Sequence, residues 1–83
     1  MSEPIRVEVR LYASLEKTRP PLGAGEPFPV EIEAGARVEQ LVKSLGIDPG
    51  AVRLAFVNGG VREFDHVLAE GDRVALFPAI GGG

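Results

Sequence analysis

The sequence has no cysteine and no tryptophan, a single histidine, and fewer basic than acidic residues, nine against twelve. Without cysteine there can be no disulfide, thiolate nucleophile, cysteine-ligated zinc or iron–sulfur cluster. His66 alone cannot make a His-rich metal site. The net charge of −3 works against binding a phosphate backbone, which calls for a concentrated Lys/Arg face. No apolar run approaches the roughly 20 residues of a membrane-spanning helix, and Met1-Ser2-Glu3-Pro4 lacks the basic and apolar regions of a signal peptide. The expectation is a cytoplasmic protein with no nucleic-acid and no membrane partner.

What is present suits one small domain. A chain of 83 residues of this length class buries about 60–65% of its unfolded surface, and 45% hydrophobic with 25% charged residues is ordinary globular composition. Ile5, Val7, Val9 and Leu11 alternate with Arg6, Glu8, Arg10 and Tyr12, the period-two pattern of a strand with one buried face, leaving Tyr12 outward. Residues 13–19 could form a helical turn ended by Pro20-Pro21, and Leu22 to Pro27 reads as loop. Phe28, Val30 and Ile32 alternate with Glu31 and Glu33 in a second strand, antiparallel to the first. After a turn at Gly35-Ala36, Val38, Leu41, Val42 and Leu45 recur at helical spacing. Gly46 followed by Ile47 fits a Schellman-type stop, and Pro49 prevents continuation.

Val52, Leu54 and Phe56 open a third strand that stops at Asn58-Gly59-Gly60, a tight-turn signal because these residues accept positive φ. Val61 to Phe64 reads as a short return strand, Asp65 to Leu68 and Glu70-Gly71-Asp72 as turns. Arg73 to Phe77 is a last strand with Val74 and Leu76 inward and Ala75 and Phe77 outward. The order predicts an α+β, β-grasp fold, a mixed four- to five-stranded sheet with one main helix on one face. The expected division is a domain over residues 1–77 and a flexible glycine-rich tail over 78–83.

That tail, Pro78-Ala79-Ile80-Gly81-Gly82-Gly83, does nothing for folding, since each ordered glycine costs about 0.5–1 kcal/mol relative to alanine. It suits a thread: without Cβ atoms it can enter a narrow channel, reaching on the order of 20 Å, with the Gly83 carboxylate at its tip. The bland alternative is a frayed terminus.

Phe56-Val57-Asn58, Phe64-Asp65-His66-Val67-Leu68 and Glu70-Gly71-Asp72-Arg73-Val74-Ala75-Leu76-Phe77-Pro78, with the final Gly82-Gly83, resemble the small sulfur-carrier proteins of the MoaD and ThiS family, which are ubiquitin-like. Phe64-Asp65-His66 and Phe77-Pro78 are more similar to the small subunit of molybdopterin synthase than to the thiamine carrier. Gly81 and Ala79 depart from the family pattern, where a small or hydroxyl-bearing residue and a second proline are common. The resemblance implies that an E1-like enzyme of the MoeB/ThiF type, using ATP and Mg²⁺, adenylates Gly83, and that sulfur transfer gives a C-terminal thiocarboxylate. The tail would then enter a large MoaE-like subunit and donate sulfur to a pterin precursor in molybdenum or tungsten cofactor synthesis. The chain itself is expected to be a non-catalytic subunit with no stably bound cofactor and no metal.

Gly82 and Gly83 are thus the expected reacting end. Tyr12, Val61, Phe77, Pro78, Ile80 and Gly81 are the expected partner-binding residues: an apolar cluster on an exposed face commonly marks a partner surface, against which stands the reading of isolated surface hydrophobes. His66, with only Asp65 and Asp72 as companions, reads as a turn or capping residue. Asn58-Gly59-Gly60 reads as a hairpin turn rather than a phosphate nest, having no following helix or lysine. Glu31, Glu33, Glu39, Glu63 and Glu70 read as a solvated acidic surface. Other functions consistent with the sequence are a carrier for thiamine, cysteine or another thiolated metabolite, a ubiquitin-like modifier joined to lysines through Gly83, and a plain interaction module.

Overall fold

The computed structural model describes residues 3–12, 15 and 25–78. Among the described residues, five strands and one α-helix follow in the order β1 (Ile5–Leu11), β2 (Phe28–Ile32), α1 (Val38–Ser44), β3 (Val52–Val57), β4 (Gly60–Arg62) and β5 (Arg73–Pro78), with a 3₁₀ turn over Pro49–Ala51 between α1 and β3. They form one mixed sheet of order β2-β1-β5-β3-β4. The first and last strands run parallel at its centre, and the other neighbours are antiparallel. This is the β-grasp arrangement expected from the alternation and helical spacing.

The inner face is aliphatic and continuous. Val7, Val9 and Leu11 of β1, Val74 and Leu76 of β5, and Val38, Leu41 and Val42 of α1 are all buried in one cluster. Among the described residues no polar or charged side chain is buried, so the core makes no demand for internal hydrogen bonds. Helix α1 owes its place to this apolar stripe, because seven residues are too few to hold a helix by propensity alone.

Its ends are closed by specific partners. At the N-terminus, the Val38 N–H donates to the His66 carbonyl and the Glu39 N–H to the Phe64 carbonyl, both at 3.0 Å. The Gln40 side chain accepts from the Arg37 N–H at 2.8 Å. Residues 64–68 therefore strap the helix start, which accounts for two otherwise unsatisfied donors. At the C-terminus, Gly46 has φ +78, its N–H reaches the Lys43 carbonyl, and the Ile47 N–H reaches the Val42 carbonyl. That is the Schellman pattern the Leu45-Gly46-Ile47 sequence foretells.

Strict alternation would put Leu54 and Phe56 on the same side as buried Val52. A register shift between Val52 and Leu54 reverses the phase, so Ala55 and Val57 fill the core and Leu54 and Phe56 turn outward. β-bulges re-aim side chains in this way. The return strand is shorter than its sequence suggests, Gly60–Arg62 in place of 61–64, because Phe64 leaves the sheet to pack against the core.

Candidate functional site

The outer face of the sheet, opposite α1, is where the expected partner residues meet. Tyr12 follows β1 and extends its pairing with β5, donating its N–H to the Leu76 carbonyl at 3.2 Å. Its ring stacks on Phe77 with centroids 4.6 Å apart and planes 6° from parallel. Phe77 in turn meets the edge of Phe56, at 5.4 Å and 71°. Phe56 pairs across the hairpin with Val61, and Leu54 pairs with Phe77. A row of apolar side chains thus crosses from β1 to β4. Leu54 is 41% and Val61 54% exposed, so water still touches both side chains.

Sequence reading found Tyr12, Val61 and Phe77 and missed Leu54 and Phe56. Their outward position depends on the bulge, for which the residues of β3 carry no clear signal. Pro78 closes β5 opposite Val52 and is half-buried. Ile80, Gly81, Gly82 and Gly83 lie outside the described residues.

Three further arrangements hold this face in shape. Gly25, with φ +75, sits so close to Tyr12 that a Cβ there would lie 2.9 Å from Cε1 of the ring, and its N–H donates to the Leu11 carbonyl at 2.7 Å. The hairpin Asn58-Gly59 has positive φ at both turn residues, 53 and 87, as a type I′ turn requires. Asn58 also ties the turn to β5. Its N–H donates to the Arg73 carbonyl, its Oδ1 accepts from the Arg73 N–H, and its Nδ2 donates to Asp72 Oδ1 at 2.9 Å. Asp72 Oδ2 accepts from the Ala69 N–H at 2.8 Å. Asp72 is therefore a brace for the turns on either side of it.

His66 lies beside the helix start, where its backbone carbonyl caps α1. Glu31, Glu33, Glu39, Glu63 and Glu70 are all exposed. Among the described residues no group of three or more His, Asp or Glu is placed to hold a metal ion, and no helix is long and apolar enough to cross a membrane.

A family model, the ThiS family, matches residues 11–83. The chain belongs to the ThiS family. Its fold is that of solved ubiquitin-like proteins. The putative molybdopterin converting factor subunit 1 of Pyrococcus furiosus is 24% identical, with a TM-score of 0.70 over 92% of this chain and 99% of that one. The small archaeal modifier protein 1 of H. volcanii is 20% identical, with the same score and coverage. The complex of molybdopterin-converting factor subunits 1 and 2 from Helicobacter pylori contains a chain 20% identical at a TM-score of 0.59, covering 95% of this chain and all of that one. No curated protein matches the sequence. These likenesses establish the β-grasp fold of this ThiS-family chain, and the family establishes its kind, a ubiquitin-fold sulfur carrier.

Proposed function

We propose that the chain carries sulfur on its Gly83 carboxyl group and delivers it as the small subunit of a molybdopterin-synthase-like complex. The observation that carries this reading is the outer-face row of Tyr12, Phe77, Phe56 and Val61, in which Phe77 lies on β5, the strand that leads directly into the glycine tail. A partner that docks there receives the tail at a fixed starting point, Pro78.

The chemistry follows from what a carboxylate cannot do. Its negative charge repels nucleophiles, so an E1-like enzyme with ATP and Mg²⁺ first converts it to an acyl-adenylate, releasing pyrophosphate. A sulfide-level donor then attacks the carbonyl carbon, the carbon–oxygen bond to AMP breaks, and a thiocarboxylate remains. The missing Cβ atoms of Gly82 and Gly83 leave the carbonyl open to that attack. The thiocarboxylate is a good nucleophile near neutral pH: its sulfur attacks a carbon of a pterin precursor held by the large subunit, displacing an oxygen leaving group. Water then cleaves the resulting thioester, leaving the sulfur on the pterin and a free carboxylate on Gly83.

Thiolation of thiamine or another metabolite uses the same first steps. In the modifier reading, which the name of the H. volcanii neighbour suggests, a lysine amine attacks the activated carbonyl instead, giving an amide. Intact-protein mass spectrometry of the chain from its native host separates these. A gain of one sulfur less one oxygen at Gly83 is expected, and larger conjugates would favour the modifier. Appending one residue after Gly83 is expected to abolish ATP-dependent adenylation; full activity of that variant refutes the proposal.

A further inference from the structure

Arg73 opens β5 with its side chain on the outer face, in line with Ala75 and Phe77, and it is exposed. Its backbone is fixed on both sides by Asn58. The carboxylates around it are committed elsewhere. Asp72 accepts from Asn58 and Ala69, Glu70 accepts from the Arg6 N–H at 2.9 Å, and Glu8 lies 3.4 Å from Arg10. Among the described residues the Arg73 guanidinium is in none of the ion pairs, which are Arg6 with Glu31, Arg10 with Glu8 and Lys43 with Glu39.

Arg73 and Arg10 both border a shallow groove of about 250 Å³ whose other walls include Phe56, Gly59, Ala75 and Phe77. Arg73 thus places a cation outside the ion pairs at the edge of this apolar face, with the Arg10–Glu8 pair beside it. We infer, resting on the proposed reading, that the protein seated on this face carries carboxylates beside an apolar surface, and that Arg73 selects it and fixes its orientation.

The guanidinium offers a planar fork of donors that matches a carboxylate at two points, which an ammonium cannot do. Rim charges of this kind act on encounter and register more than on total affinity. The Arg73 guanidinium gives this edge a local attraction for an acidic partner in spite of the chain's net charge of −3. Two arginines are too few to hold a polyanionic backbone, which leaves a protein as the occupant.

The test uses the full chain and the adenylating enzyme of the same organism. Calorimetric titration at about 0.05 and 0.5 M NaCl is paired with KM and kcat for the chain in ATP–pyrophosphate exchange. Arg73→Glu is expected to raise Kd and KM about tenfold or more with kcat little changed, and Arg73→Lys to fall between. The salt dependence of the wild type is expected to flatten in Arg73→Gln, which also serves if the charge reversal fails to fold. Lys43→Glu, the same charge change on the helix, is expected to match wild type. Arg73→Glu binding within about twofold of wild type, or equal weakening by Lys43→Glu, overturns the inference while leaving adenylation intact. A wild-type chain that is never adenylated overturns the proposed function and this inference together.

Discussion

Replacing Phe77 with alanine tests whether the outer face is built as a unit. Phe77 lies between two rings, stacked on Tyr12 at 4.6 Å and met by Phe56 at 5.4 Å. Each such pair contributes about 0.5–1.5 kcal/mol beyond the area it buries. The side chain is half-buried, so truncation should cost less than the roughly 3–5 kcal/mol of a core phenylalanine. Taking both ring pairs and a partial burial term, we expect Phe77→Ala to destabilise by about 2–3 kcal/mol. In a domain of this size that lowers Tm by roughly 10–20 °C. Val61, 54% exposed, should behave differently: Val61→Ala is expected to stay within about 0.5 kcal/mol of wild type while weakening capture by the adenylating enzyme. Thermal denaturation by circular dichroism and titration with that enzyme read the two effects separately. A Phe77→Ala chain that melts within about 2 °C of wild type refutes the idea that these rings support one another.

Gly25→Ala is expected to destabilise by about 1–3 kcal/mol, from the 2.9 Å approach of its Cβ to Tyr12 and from strain at positive φ; the shift in Tm checks it. Asp72→Ala removes the acceptor for both Asn58 Nδ2 and the Ala69 N–H. A loss of about 1–3 kcal/mol is expected, together with faster amide exchange at Ala69 read by NMR.

Much of this architecture could be read from residue spacing. The phase of β1 and β5 is set by simple alternation, and each strand does bury Val or Leu at every second position. The helix stop was legible because Gly46 and Ile47 supply both parts of a Schellman motif. Asn58-Gly59 announced the hairpin because few other residues accept positive φ at both turn positions. Less legible were features set by tertiary pairing. The bulge after Val52 is decided by how β3 meets β5, and without it Leu54 and Phe56 would pass for core residues. The 3₁₀ turn at Pro49–Ala51, capped by Asp48 accepting from the Gly50 N–H at 3.0 Å, is too short to announce itself by period. The strap of residues 64–68 over the helix start works through main-chain carbonyls, which side-chain identity does not encode. Of the candidate site, three aromatic and aliphatic members were visible from alternation, whereas the cations beside them had no reason to be singled out until the sheet placed them next to Phe56 and Phe77.

The parallel pairing of β1 with β5 also decides how the body answers a pull. Tension applied at the tail draws β5 toward its C-terminal end, while an anchor near the start of β1 resists in the opposite direction. Parallel neighbours loaded in this way are sheared, so their hydrogen bonds share the load and do not open one at a time like a zipper. Among the described residues, β5 also joins the β1/β2 pair to the β3/β4 hairpin. A machine that drags on the glycine end therefore grips the most firmly seated strand of the sheet.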